Sequence, residues 1–144
     1  MKVARQIEIA AEPRAIYEVV MDPQRLAEWV TIHQGLEDSP KGRLRKGSKL
    51  TQSLKLAGRR FKVHWTVVEN DVCRKVVWEG DGPVRSKASV TYEFEANGDG
   101  TSFSYSNEYK LPGGPLGTMA GPAVRRVTGG ELDRSLQRLK ALVE

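Results

Sequence analysis

In "FSYSNEYK", residues 103–110, the odd positions are Phe103, Tyr105, Asn107 and Tyr109: three aromatics and one amide on a single strand face. An amide in such a row must find a hydrogen-bond partner, because burying it unpaired costs roughly 1–3 kcal/mol. Two other alternating rows carry the same anomaly, Arg5 among Val3, Ile7 and Ile9, and Gln52 among Leu50, Leu54 and Leu56. A few convergent polar groups among aromatic walls are the chemistry of a small-molecule site, where apolar burial gives affinity and the polar groups fix orientation. The candidate walls are Trp65, Trp78, Tyr92, Tyr105 and Tyr109, with Trp29 able to close one end. The same aromatics would also serve as plain core, and both readings stay open.

Proton-moving chemistry needs a positioned acid or base. Tyr92, Tyr105, Tyr109 and Arg5 could serve, but the inward rows show no carboxylate or histidine, and Glu93 and Glu108 alternate outward. No catalytic residue is assigned. His33, in a stretch that reads as a loop, and His64, on an outward row, have no metal-ligand partner at a recognisable spacing, so no metal site is expected. Nucleophile elbow, phosphate loop and dinucleotide fingerprint are all missing from the chain, and no cofactor is expected. Cys73 is the only cysteine, which rules out an intrachain disulfide.

These side chains need elements to hold them. "VARQIEI" at 3–9 alternates as a strand. Pro13 and Pro23 suit first helical positions and predict two short helices, "AEPRAIYEVV" and "DPQRLAEWV", the second capped by Asp22. Residues 33–46 read as loop, rich in glycine, proline and charge. Strands follow in "KLTQSLKL", "FKVHWTVVE", "RKVVWEG", "KASVTYEFE" and "TSFSYSNEYK", with turns at "AGRR", "END" and "NGDG". Hairpin-length connections make the sheet antiparallel. From about Pro122 to Val143 the period becomes helical, with Leu132, Leu136, Leu139 and Val143 as the apolar stripe. Gly129-Gly130 inside that helix implies a close approach, a break, or room for a bound molecule.

At 144 residues the chain reads as one domain, 1–144, able to bury roughly 68–70% of its unfolded surface without disulfides. The N-terminus lacks the apolar stretch of a signal peptide and no run approaches a membrane span, so a cytoplasmic protein is expected. The net charge of +5 is uneven: Lys41 to Lys62 holds nine basic residues and no acidic one. Their alternation fits the solvated face of two strands better than a nucleic-acid footprint, so no nucleic-acid partner is expected.

This element order resembles the START-like, polyketide cyclase-like (SRPBCC) helix-grip superfamily. The matching segments are "IEIAAEPRAIYEVVMDPQRLAEWV", "WTVVENDVCRKVVWEGDGP", "VTYEFEANGDGTSFSY" and "ELDRSLQRLKALVE", which together span essentially the whole chain. The resemblance implies an α+β helix-grip fold, a curved antiparallel β-sheet wrapped around a long C-terminal α-helix, with two short helices after the first strand. It also implies a tunnel between sheet and helix, with "LPGGPLG" as its gate and Met119 beside it. The function it suggests is binding of a small hydrophobic or aromatic molecule (lipid, quinone or polyketide-like). Two alternatives are an aromatase/cyclase-like enzyme in the same cavity, and peripheral contact of the basic 41–62 stretch with an anionic membrane or partner. A fold by itself licenses none of these functions.

Overall fold

The computed structural model describes residues 1–110 and 122–144. Strand β1 (Lys2–Ile9) leads into helix α1 (Pro13–Val20), then a 3-10 turn (Pro23–Arg25) continuing into the single-turn helix α2 (Leu26–Trp29). Strands β2 (His33–Glu37), β3 (Lys49–Leu56), β4 (Arg59–Asp71), β5 (Lys75–Asp81), β6 (Lys87–Asn97) and β7 (Gly100–Lys110) follow, and helix α3 (Pro122–Val143) ends the chain. All seven strands form one antiparallel sheet in the order β1-β7-β6-β5-β4-β3-β2. The sheet curls into a half-barrel with its concave face on α3. This is the helix-grip architecture that the resemblance implies.

Local chemistry explains the boundaries. Pro13 opens α1, where its missing amide costs nothing. The Asp22 carboxylate accepts from the Gln24 amide at 3.0 Å and caps the next turn. The β3–β4 hairpin closes through Ala57 and Gly58 at φ 51° and 79°, a pair of left-handed positions that matches the strand twist. Tyr17 and Trp29, from α1 and α2, close the half-barrel from the side, each fully buried.

Two expectations need correction. Residues 33–37 form a strand, β2, rather than loop, so His33 lies on an edge strand. Its signal is weak because the register slips between His33 and Gly35 and every residue is at most half-buried, leaving no alternation to read. "END" is not a turn either: β4 runs on through Asp71, and the reversal comes at Val72–Arg74.

The Gly129-Gly130 pair does not interrupt α3. A Cβ at Gly129 would stand 2.3 Å from Arg5 Nη2, so the missing side chain makes a seat for the Arg5 guanidinium. Gly80 does the same for the core, where a Cβ would fall 2.5 Å from Val63 Cγ1 and 2.7 Å from Trp65 Cε3. Among the described residues no helix is long and apolar enough to cross a membrane.

Candidate functional site

The ladder registers place the aromatic rows side by side. Tyr92 pairs with Tyr105, Phe94 with Phe103 and Val90 with Asn107 across β6 and β7, while Trp78 of β5 faces Val90. Every aromatic expected to point inward does so, and the rings touch in sequence: Trp65–Trp78 at 6.0 Å, Trp78–Tyr92 at 5.7 Å, Tyr92–Tyr105 at 5.4 Å and Phe94–Phe103 at 5.1 Å between centroids. Trp29 bridges from α2 onto Tyr92 (5.9 Å) and Tyr105 (5.5 Å). These edge and tilted contacts are the favoured geometries of aromatic pairs.

A void of about 20 Å³ remains within this cluster, bounded by Leu26, Ile32, Gln52, Trp65, Trp78, Tyr92, Tyr105, Asn107 and Tyr109 among others. That is room for about one water. Gln52 is its best-anchored polar group. The Trp65 indole N–H can only donate, and it donates to Gln52 Oε1 at 3.0 Å. The amide is thereby oriented so that Gln52 Nε2 donates to His33 Nδ1 at 2.9 Å. His33 must therefore be unprotonated at Nδ1, and burial pushes its pKa below the ordinary 6.5 in the same sense. Asn107, 5% exposed, borders the void from β7. Among the described residues the indole nitrogens of Trp29 and Trp78 are buried and find no hydrogen-bond partner.

Burial also raises the three phenols. Tyr92 is pushed well above its usual 10, further by Tyr105 beside it; Tyr105 rises to about 12 against an opposing hydrogen bond from Asn107; Tyr109 rises as well. All three stay protonated in the physiological range and present O–H groups, not bases.

A second void of about 10 Å³ shares Ile32, Tyr105 and Asn107 with the first, and its far wall is Thr128, Glu131, Leu132 and Ser135 of α3. The Thr31 hydroxyl donates to Glu131 Oε2, the Thr31 amide donates to Ser135 Oγ at 3.0 Å, and the two hydroxyls lie 3.1 Å apart. Glu131 also accepts from Arg134. Burial raises the Glu131 pKa, but the Thr31 and Arg134 hydrogen bonds and the Arg134 and Arg138 charges outweigh it, and the net shift is downward. Residue-type patterns on the strands could not show Glu131. A signal existed in α3, where Thr128, Glu131 and Ser135 recur at helical spacing beside the leucine stripe.

The ten residues singled out from the sequence thus fall into three groups. Gln52, Trp65, Trp78, Tyr92, Tyr105, Asn107 and Tyr109 surround the first void, and Trp29 packs behind it. Arg5 lies outside: its guanidinium rests on Gly129, bonds Asp133 at 3.1 Å and is 42% exposed. Met119 and the "LPGGPLG" gate fall outside the described residues. All nine basic side chains between Lys41 and Lys62 are exposed, with Arg43 paired to Glu18 and Lys62 to Glu37.

A half-barrel gripping a C-terminal helix over an aromatic interior defines the helix-grip class. Solved structures agree on the fold. A protein of Thermus thermophilus superposes with a TM-score of 0.81 at 17% identity, covering 99% of this chain and 97% of that one. A START superfamily protein from Mycobacterium smegmatis gives 0.75 at 20% identity, covering 99% and 96%. The ginseng major latex-like protein 151 from Panax ginseng gives 0.75 at 13%, covering 99% and 97%. In sequence, an uncharacterised protein of Mycobacterium tuberculosis is 26% identical over 137 residues, 94% of this chain and 93% of its own length. Residues 1–144 match the family described as polyketide cyclase / dehydrase and lipid transport, and the chain belongs to that family.

Proposed function

We propose that the protein binds a small, largely apolar molecule between the concave face of the sheet and α3. The observation that carries this reading is the convergence of two amides, Gln52 and Asn107, and three protonated phenols on a void inside an aromatic cluster. Gln52 also serves the core by bonding Trp65 and His33, but the gathering of Asn107 and the three phenols around the same void goes beyond what packing requires, and such groups orient a ligand. The family description, which spans cyclases and lipid transport, is compatible with such a ligand. Among the described lining residues no group has a pKa near neutrality, since the phenols are raised and Glu131 is lowered. Binding is therefore favoured over turnover.

The neutral fluorescent probe N-phenyl-1-naphthylamine tests this directly. Saturable binding is expected, weakened at least about tenfold by Trp65→Ala or Tyr105→Ala in variants that keep the wild-type circular dichroism. Undiminished affinity in both variants would move the ligand elsewhere. Native mass spectrometry of gently purified protein, followed by denaturing extraction, should identify the chemical class of any natural occupant.

A further inference from the structure

The charges around the two voids are one-sided. Among the described residues lining them there is one formal charge, the Glu131 carboxylate, and no lysine or arginine. Glu131 is held in place by the Thr31 hydroxyl and on its outer side by Arg134, a guanidinium that is 61% exposed. A carboxylate has about four acceptor sites, so these two contacts leave it able to accept another hydrogen bond.

We infer that Glu131 is the specificity-determining residue of the cavity: it accepts a hydrogen bond from a hydroxyl or amine on an uncharged ligand, and it turns away anionic ones such as fatty acids and aromatic carboxylates. This rests on the ligand-cavity reading above. An anionic ligand group would be desolvated with no cation among the described residues lining the voids and would meet the Glu131 charge, which Arg134 and Arg138 offset only from exposed positions. A neutral ligand with one donor places its apolar body among Trp65, Trp78 and Tyr92 and its donor toward Thr128, Glu131 and Ser135. Asn107 and Tyr105, which border both voids, lie beside its middle. Glu131 is ionised at neutral pH, so the discrimination falls between ligands that are neutral there, such as phenols and arylamines, and those ionised to anions.

Three naphthalenes of similar shape test the inference: 2-naphthol, 2-methoxynaphthalene and 2-naphthoate. Near pH 7 the phenol is neutral and the acid ionised. Affinities are read by tryptophan fluorescence and calorimetry. In wild-type protein, 2-naphthol should bind roughly tenfold tighter than 2-naphthoate and measurably tighter than the methyl ether. Glu131→Gln removes the charge at nearly constant size and should shrink the naphthol-to-naphthoate ratio to about threefold or less. A ratio unchanged in Glu131→Gln would assign the preference to desolvation alone and overturn the role of Glu131. Naphthoate binding as tightly as naphthol to wild type would overturn it without any variant, so the inference stays testable if Glu131→Gln does not fold. Equal, saturable binding of all three probes that is lost in Trp65→Ala would sink this inference and leave the cavity standing. No binding of any probe would sink both.

Discussion

Gln52→Leu keeps roughly the volume of the side chain and removes the two hydrogen bonds that join Trp65 and His33. The two orphaned partners are not equivalent. His33 is half-buried and can exchange Gln52 for water, so its loss costs little. Trp65 is 4% exposed, and its indole N–H would be left buried without an acceptor, which costs about 1–3 kcal/mol. Leucine recovers part of this by not desolvating an amide. The expected net loss is about 2 kcal/mol, a fall of roughly 4–8 °C in Tm at this chain length. The assay is urea unfolding of Gln52→Leu in two backgrounds, wild type and Trp65→Phe. Phenylalanine has no donor to strand, so in that background Gln52→Leu should cost below about 0.5 kcal/mol, giving a coupling energy of about 1.5 kcal/mol. A cost that is the same in both backgrounds would refute the reasoning, because the loss would then be one of packing around Gln52.

Three further outcomes are expected. Gly80→Ala drives a methyl into Val63 and the Trp65 ring and should cost about 1–3 kcal/mol by overpacking, measured by thermal unfolding. Gly129→Ala meets only the end of the flexible, half-exposed Arg5 side chain. The helix-propensity gain of about 1 kcal/mol and the loss of an ion pair worth about 0.2–1 kcal/mol nearly cancel, so chemical denaturation should show a change within about 1 kcal/mol, and a loss above about 2 kcal/mol would show that the Arg5 seat is structural. His33 has a folded pKa below 6.5, so as pH falls through 6.5 the unfolded chain takes up the proton first. Its contribution to stability is complete above that value and is lost as pH falls toward the folded pKa. The difference in unfolding free energy between wild type and His33→Asn should therefore shrink between about pH 7 and pH 5, whereas a constant difference would place the His33 pKa at its ordinary value.

The strands were legible wherever one face was buried and the other wet. Leu50, Gln52, Leu54 and Leu56, or Ala88, Val90, Tyr92 and Phe94, alternate because the concave side packs on α3 and the convex side meets solvent. Edge strand β2 escaped because it has no such asymmetry. Arg5 was placed on the correct face by its alternation, but a strand pattern cannot say how far a long side chain travels along that face, and Arg5 reaches the Gly129 seat at the rim. The Gln52–Trp65 bond was beyond reach for a different reason. The two residues are diagonal, with Gln52 opposite Val63 and Trp65 opposite Leu50, so their contact depends on a register fixed by the Ala57-Gly58 turn.

The described interior leaves only about 20 and 10 Å³ empty, while small-molecule sites run to roughly 300 Å³ and more. A ligand bound as proposed would therefore displace a boundary, and the boundaries differ in how firmly they are held. The sheet wall is tied by continuous ladders from β1 to β2 and by the chain of aromatic contacts. The C-terminal half of α3 is anchored by fully buried Leu132, Leu136 and Leu139. Its first turns are held differently. No residue from Pro122 to Val127 is buried, and among the described residues Arg125 donates to the Lys2 carbonyl at 3.5 Å. Segments with few buried contacts open at the lowest free energy. The second void, with Thr128, Glu131 and Ser135 on its wall, lies where that weakly held stretch meets the anchored one. Space for the proposed ligand would thus be gained most cheaply where the start of α3 meets the second void, beside Glu131.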